Sequence, residues 1–250
     1  MKKNGLAKTW RSLQQLQPSL PQNSQSGFTI IESLMAVVVT AVLMTALSPV
    51  IVLSVATRVQ AKRVELAAQA ARAYIDGVRT GTIDAPSNTI TLNEVNTTNN
   101  TFNSQRSLFA AVAVPTTGAG SLSSCPTTTG NQYCQNSSAT TPSLYCIDLD
   151  SGGCGSGSPK DLIVQAFRSV TSTSTDSNQG YILGIRVYRA DAFNDNVPLN
   201  SPSTNGTLPT QATFTGGLGN RKVPLKEMTT EIVTPQTNYG SFCSRLGGCQ

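Results

Sequence analysis

Ser26-Gly27-Phe28-Thr29-Ile30-Ile31-Glu32-Ser33-Leu34 opens an apolar run that continues to about Thr57, and from Phe28 to Thr57 Glu32 is the only formally charged side chain. The run exceeds the roughly 20 apolar residues needed to cross the hydrocarbon core of a bilayer. It reads as a membrane helix with a carboxylate near its start. A carboxylate in hydrocarbon costs on the order of a few kcal/mol and marks a functional position by default. The first turn of a helix returns roughly 0.3–1 kcal/mol of that through the helix dipole.

Residues 1–27 are polar and basic, with Lys2, Lys3, Lys8 and Arg11, no acid, and prolines at Pro18 and Pro21. The excess of Lys and Arg predicts that this end stays in the cytoplasm, although Arg58, Lys62 and Arg63 on the far side make the margin four against three. The net charge of +5 and the pI near 9.0 invite a nucleic-acid reading. Removing the four leader bases leaves fourteen bases against thirteen acids, so the rest is nearly neutral and nucleic acid is not expected as a partner. An ordinary secretory signal is the competing reading, since Ser54-Val55-Ala56 offers a small-x-small cleavage site before Thr57. Against it, the apolar stretch far exceeds the roughly 7–15 residues of a signal core, and it carries a glutamate.

Residues 58–79, RVQAKRVELAAQAARAYIDGVR, place Val64, Ala67, Ala68, Ala71, Tyr74, Ile75 and Val78 at spacings of three and four, one face of an amphipathic helix. The simplest account is a single helix over 28–79 that lays this face on a folded head. Gly77 and Gly81 are the stop signals, with Pro86 beyond them. In the apolar half, Ser33, Ala36, Thr40, Ala41, Thr45, Ala46 and Ser48 are small enough for close helix approach. Pro49 removes a helical hydrogen bond and predicts a kink. The chain thus divides into a leader (1–27), a membrane helix (28–57), an amphipathic continuation (58–81) and a β-rich head (82–250).

In the head, strand-like runs fall at 89–92, 108–114, 144–149, 162–170, 181–189 and 228–233. In the fifth run Tyr181, Leu183, Ile185 and Val187 point one way, while Ile182, Gly184, Arg186 and Tyr188 share the other face. That alternation predicts a half-buried antiparallel sheet packed on the helix. Segments 97–106, 171–178 and 194–219 read as long loops. Tyr133, Tyr145, Tyr181, Tyr188 and Tyr239 are weighed as a sugar-stacking surface against ordinary core packing, and core packing is preferred.

All six cysteines, Cys125, Cys134, Cys146, Cys154, Cys243 and Cys249, lie in the head, and there is no histidine and no C-x-x-C pair. The pattern argues against zinc and for disulfides in an oxidising compartment. Short loops favour 125–134, 146–154 and 243–249. No phosphate-binding loop, no G-x-S-x-G elbow and no S-x-x-K setting occurs, so neither an enzyme nor a cofactor is expected. Asp148, Asp150, Asp191 and Asp195 stand in Gly/Ser/Asn-rich surroundings that could ligate calcium. The twelve-residue calcium loop is absent, and solvated turn aspartates, with no metal, are the preferred reading.

The glycine–phenylalanine junction, with Glu32 fifth from Phe28, behind a basic leader and ahead of a membrane-length apolar run, resembles the class III leader of type IV prepilins and type II secretion pseudopilins. The resemblance implies cleavage between Gly27 and Phe28 by a prepilin peptidase, N-methylation of Phe28, and pairing of Glu32 with the α-amine of Phe28 on an adjacent subunit. Pro49, twenty-second from Phe28, resembles the proline position of many type IV pilins. Residues 49–79 are similar to the pseudopilins of hormogonium polysaccharide secretion in filamentous cyanobacteria. The implied fold is α+β, the type IV pilin fold, a long N-terminal helix packed on an antiparallel sheet with long loops. The implied function is a non-catalytic minor pilin or pseudopilin, held single-pass in the inner or cytoplasmic membrane with its head outside and then drawn into a fibre. Polysaccharide secretion or gliding motility is the implied process. The implied partners are other pilins through the N-terminal helix, the prepilin peptidase, the membrane and exopolysaccharide. The alternative is an adhesin or DNA-uptake minor pilin whose head binds a surface, glycan or nucleic acid directly.

Overall fold

The computed structural model describes residues 27–91, 109, 111–118, 120–128, 130–135, 143–171, 174–200, 209–212 and 219–246. The chain separates into two compact units, Met1–Val50 and Ile51–Gln250. Helix α1 spans Ile30–Arg79 and contains Pro49. Six strands follow: β1 (Thr89–Thr91), β2 (Gln132–Tyr133), β3 (Ser143–Ile147), β4 (Leu162–Val170), β5 (Tyr181–Arg189) and β6 (Lys226–Ile232), and then a short helix α2 (Tyr239–Leu246). They form one sheet in the order β2-β3-β4-β5-β6. These neighbours are antiparallel, and β1 adds a short parallel pairing to the far end of β4.

The amphipathic half of α1 covers one sheet face. Ala67, Ala70, Ala71, Tyr74, Ile75 and Val78 are buried and form one cluster with Tyr145, Val164, Leu183, Ile185 and Val187. Ala68 is only half-buried, and Ala70 and Gln60 join the buried set instead. Alanines let the helix approach the sheet closely, and Tyr74 then fills the remaining space. Its ring stands edge-on to Tyr145 and Tyr133, at centroid distances of 5.1 and 6.3 Å. Its hydroxyl bonds that of Tyr133, whose own hydroxyl donates to the Asp84 carbonyl at 2.8 Å. Each such aromatic pair adds about 0.5–1.5 kcal/mol beyond area burial.

The helix does not stop at Gly77. It runs to Arg79 and ends in a Schellman motif: the Thr82 N–H reaches the Gly77 carbonyl at 2.9 Å, the Gly81 N–H reaches Val78 at 3.2 Å, and Gly81 takes φ +72°. Gly77 has a packing role, because a Cβ there would run into the Ile83 side chain.

The expectation of a half-buried sheet fails. The second face is covered as well, by a cluster containing Cys125, Cys134, Ile163, Tyr188 and Phe193 and by the stacked pair Phe109 and Phe167. Arg186 of β5, expected on an open face, is completely buried. Its guanidinium donates to the carbonyls of Val112 (2.7 Å) and Phe109 (3.1 Å) and to Glu227 Oε1 (3.1 Å), and it lies 5.3 Å from the Phe167 ring centroid. Gln165 of β4 donates to the Ala113 carbonyl at 2.7 Å. These bonds explain why the described part of 108–114 forms no strand: the carbonyls of Phe109, Val112 and Ala113 are spent on side chains of the sheet below, and residues 111 and 112 turn. Gly184 makes room for the arrangement, since any Cβ there would collide with both Phe109 and Phe167.

Other boundaries shift for local reasons. β3 ends at Ile147 instead of 149 because the next two N–H groups, of Asp148 and Leu149, donate to the side chains of Asn131 and Asp161, and β6 begins at Lys226, paired with Val187. β2 and α2 were not expected. Segment 97–106 lies outside the described residues, 171–178 leads into a 3₁₀ turn at Ser177–Gln179, and 194–219 is described in part.

Removing one partner of a buried, hydrogen-bonded charge costs about 3–5 kcal/mol. Arg186→Ala is therefore expected to lower the melting temperature of the full chain in detergent by roughly 10 °C. Gly184→Ala should cost less, about 1–3 kcal/mol. Circular dichroism melts that place Arg186→Ala within a degree or two of wild type would refute the clamp.

Candidate functional site

At the N-terminal junction, Gly27 and Phe28 precede the helix and are exposed, Phe28 by 80%. No atom lies within 4 Å of where a Gly27 Cβ would stand, so nothing described shields this peptide bond. Thr29 caps α1: its Oγ1 accepts the Glu32 N–H at 3.3 Å, and Thr29-Ile30-Ile31-Glu32 has the spacing of a capping box. Glu32 is thus the acidic residue of the first turn, exposed and facing no described cation. From Ile30 to Val55 every side chain is exposed. The hydroxyls in this stretch are satisfied within the helix: Ser33 donates to the Ile30 carbonyl at 2.8 Å, Thr40 to Ala36 at 2.9 Å and Thr45 to Val42 at 2.9 Å. The surface is apolar all round, with small residues interspersed, suited to lipid or to other helices. Pro49 lies within this helix, which stays helical on both sides of it.

The four aspartates considered for calcium are not one site. Asp148 and Asp150 sit in the turn after β3, and one oxygen of each lies within 4.8 Å of an oxygen of Asp161, a residue the sequence did not single out. These three are the group that could hold a hard cation. Asp148 is already engaged: Oδ1 accepts N–H from Asp150 (3.1 Å) and Ser151 (2.7 Å), and Oδ2 from Gly153 (3.1 Å). Burial pushes its carboxyl up, but the backbone donors, Gly153 foremost, outweigh that and hold it below the usual carboxylate range. Asp161 is buried, with Oδ1 accepting the Leu149 N–H at 3.0 Å and Oδ2 lacking a partner among the described residues. Asp191 and Asp195 lie elsewhere and are held by cations: Asp191 by Arg189, Asp195 by Arg221 and Lys222. A metal there would have to displace those pairs.

Cys125 is bonded to Cys134 and Cys146 to Cys154. Closing loops of nine and eight residues removes on the order of 2.5 kcal/mol of unfolded-state freedom each on the chain-entropy account. Cys243 is also disulfide-bonded, while Cys249 lies outside the described residues. Tyr145, Tyr181 and Tyr188 are buried and Tyr133 half-buried in the core; Tyr239 is exposed.

One helix among the described residues is long and apolar enough to cross a membrane, and with the predominantly antiparallel sheet on which its second half packs it makes the α+β architecture of the type IV pilin fold. The protein is type IV pilin-like and membrane-anchored by one span. The family described as the prokaryotic N-terminal methylation motif matches residues 22–48, which takes in Gly27, Phe28 and Glu32. No curated protein and no solved structure matches the chain.

Because the Asp148 carboxyl is depressed in the folded chain, its contribution is full above the ordinary carboxylate range and is lost as pH falls through the lowered value. Asp148→Asn should therefore melt below wild type at pH 7, with the gap closing in acid. A gap that stays constant from pH 7 to pH 3 is the outcome that rules this out.

Proposed function

We propose that the protein is a non-catalytic minor pilin or pseudopilin, processed by a prepilin peptidase between Gly27 and Phe28, N-methylated on Phe28, and assembled through its N-terminal helix into a type IV pilus or type II secretion-like fibre. The observation that carries this reading is the exposed Gly27-Phe28 junction set directly on a capped helix that is apolar all round as far as Thr57, with Glu32 as the one charge in that stretch. The helix is stored in lipid with the head outside, and assembly exchanges lipid for neighbouring helices. Glu32, desolvated in that packing, pairs with the Phe28 amine of the next subunit and fixes its register. The long head loops suit a low-copy, priming or tip position, and the resemblance of residues 49–79 favours polysaccharide export as the process served.

N-terminal sequencing and mass measurement of the membrane-extracted chain are expected to give a methylated Phe28 start; a start at Thr57 defeats the proposal. Glu32→Gln keeps a side chain competent in a capping box but loses the charge. It should leave membrane insertion and head stability unchanged while abolishing co-purification with other pilins, and retained co-assembly would exclude the pairing.

A further inference from the structure

A cleft of about 530 Å³ opens in the head where α1, the end of β5 and the turn after Gly219 converge. Its volume falls within the range of small-molecule sites. Four bases line it, Arg63, Arg189, Arg221 and Lys222, against two acids, Asp191 and Asp195. The acids do not go round. Asp195 accepts from both Arg221 and Lys222, and Asp191 is taken by Arg189. Among the described residues Arg63 has no ion-pair partner, the buried Nε–H of Arg189 has no acceptor, and the buried Oδ1 of Asp191 has no donor.

A plain surface network of ion pairs would leave its charges matched and wet. Here the Arg189 and Lys222 side chains are about nine-tenths covered, and Arg63 is half-buried. Arg63 is held below the usual guanidinium range, by burial first and then by the charge of Arg189, with the Asp191 carboxylate opposing both. Asp191 offsets only part of the repulsion between the two guanidiniums: with two acids against four bases, the cleft keeps an excess of positive charge that a bound anion would neutralise.

The cations are also held in place. Arg63 stands on α1 one turn before Ala67, which is fully buried on the sheet. Arg189 is fixed by its ladder pairing with Leu162, and Lys222 is anchored by donating to the Ala192 carbonyl at 2.5 Å. Rigid elements present planar, bidentate donors, the geometry that recognises carboxylate and phosphate. Val197, exposed and apolar, forms part of the wall and gives a ligand body something to lie against.

We propose that this cleft binds an oxyanion-bearing small ligand, its carboxylate or phosphate group held between Arg63 and Arg189. The volume exceeds that of a free oxyanion and accommodates a sugar acid or sugar phosphate. The site belongs to the head and does not depend on processing or assembly.

Purified full chain in detergent would be titrated with inorganic phosphate and, separately, with glucuronate, each against sodium chloride at matched ionic strength, following the melting temperature and the heat of binding. Saturable binding of either anion beyond chloride is expected. Phosphate alone would mark a free-oxyanion site, and tighter binding of glucuronate a sugar-acid site. Arg63→Gln, which breaks no described ion pair, should weaken binding about tenfold or more. Lys62→Gln, an exposed charge on the same helix paired with Glu65, should not change it. No saturable effect beyond chloride, or an equal loss in Lys62→Gln, would overturn the proposal.

Discussion

The close approach of α1 to the sheet is the contact on which the rest of the head depends. Ala67, Ala70 and Ala71 present almost no side-chain bulk, so the helix axis comes near enough for Tyr74 to wedge between Tyr133 and Tyr145. A larger residue at any of those alanines would lift the helix and open the aromatic junction. The Schellman close at Gly81 follows from the same demand, because the chain must leave the helix promptly and return as β1 alongside β4. The Tyr133–Asp84 bond ties that returning segment to β2.

The second face of the sheet is closed by a different principle. Covering a sheet with a helix satisfies the covering backbone internally, whereas covering it with an irregular segment leaves carbonyls that need donors. Arg186 and Gln165 rise from the sheet to supply them to Phe109, Val112 and Ala113. A buried guanidinium would be a liability alone. With Glu227 beside it and carbonyls around it, it becomes the means by which a non-strand can lie on a strand.

What could be read from the sequence follows from which interactions are local. The membrane run, the amphipathic spacing after Arg58 and the alternation in β5 are all written in neighbouring residues, and the α+β fold followed from them. The side-chain alternation in β5 was also read correctly, but not what lay over its second face. Arg186 looked like a solvent residue because its acceptors at Phe109 and Val112 are more than seventy positions away. Segment 108–114 has strand composition, and the distant Arg186 and Gln165 side chains take the carbonyls of Phe109, Val112 and Ala113 there. β2 is two residues long and is defined by its partner in β3, so no periodicity could betray it. Among the site residues the junction was legible because it is contiguous. The aspartates were not, since Asp161 comes to Asp148 and Asp150 through sheet pairing, while Asp191 answers Arg189 at the end of β5 and Asp195 answers cations from another loop. Gly184, a glycine in the middle of an apolar strand, was the one available signal of a close approach on the far face.

At Glu32 the local requirements can be separated from the assembly role proposed for it. Its N–H completes the Thr29 cap, and its place in the first turn suits the helix dipole, so the free chain already accounts for an acidic or amide side chain there. Neither effect needs a full negative charge, for glutamine serves a capping box. In a helix whose every other side chain from Ile30 to Val55 is uncharged and whose hydroxyls bond their own backbone, the charge is the one feature that local structure does not require. Carrying it from the headgroup region into a packed bundle of apolar helices would cost several kcal/mol unpaired. In the proposed fibre that cost would make a cation a condition of assembly, and an α-amine at Phe28, freed by the proposed cleavage, would make assembly wait for processing.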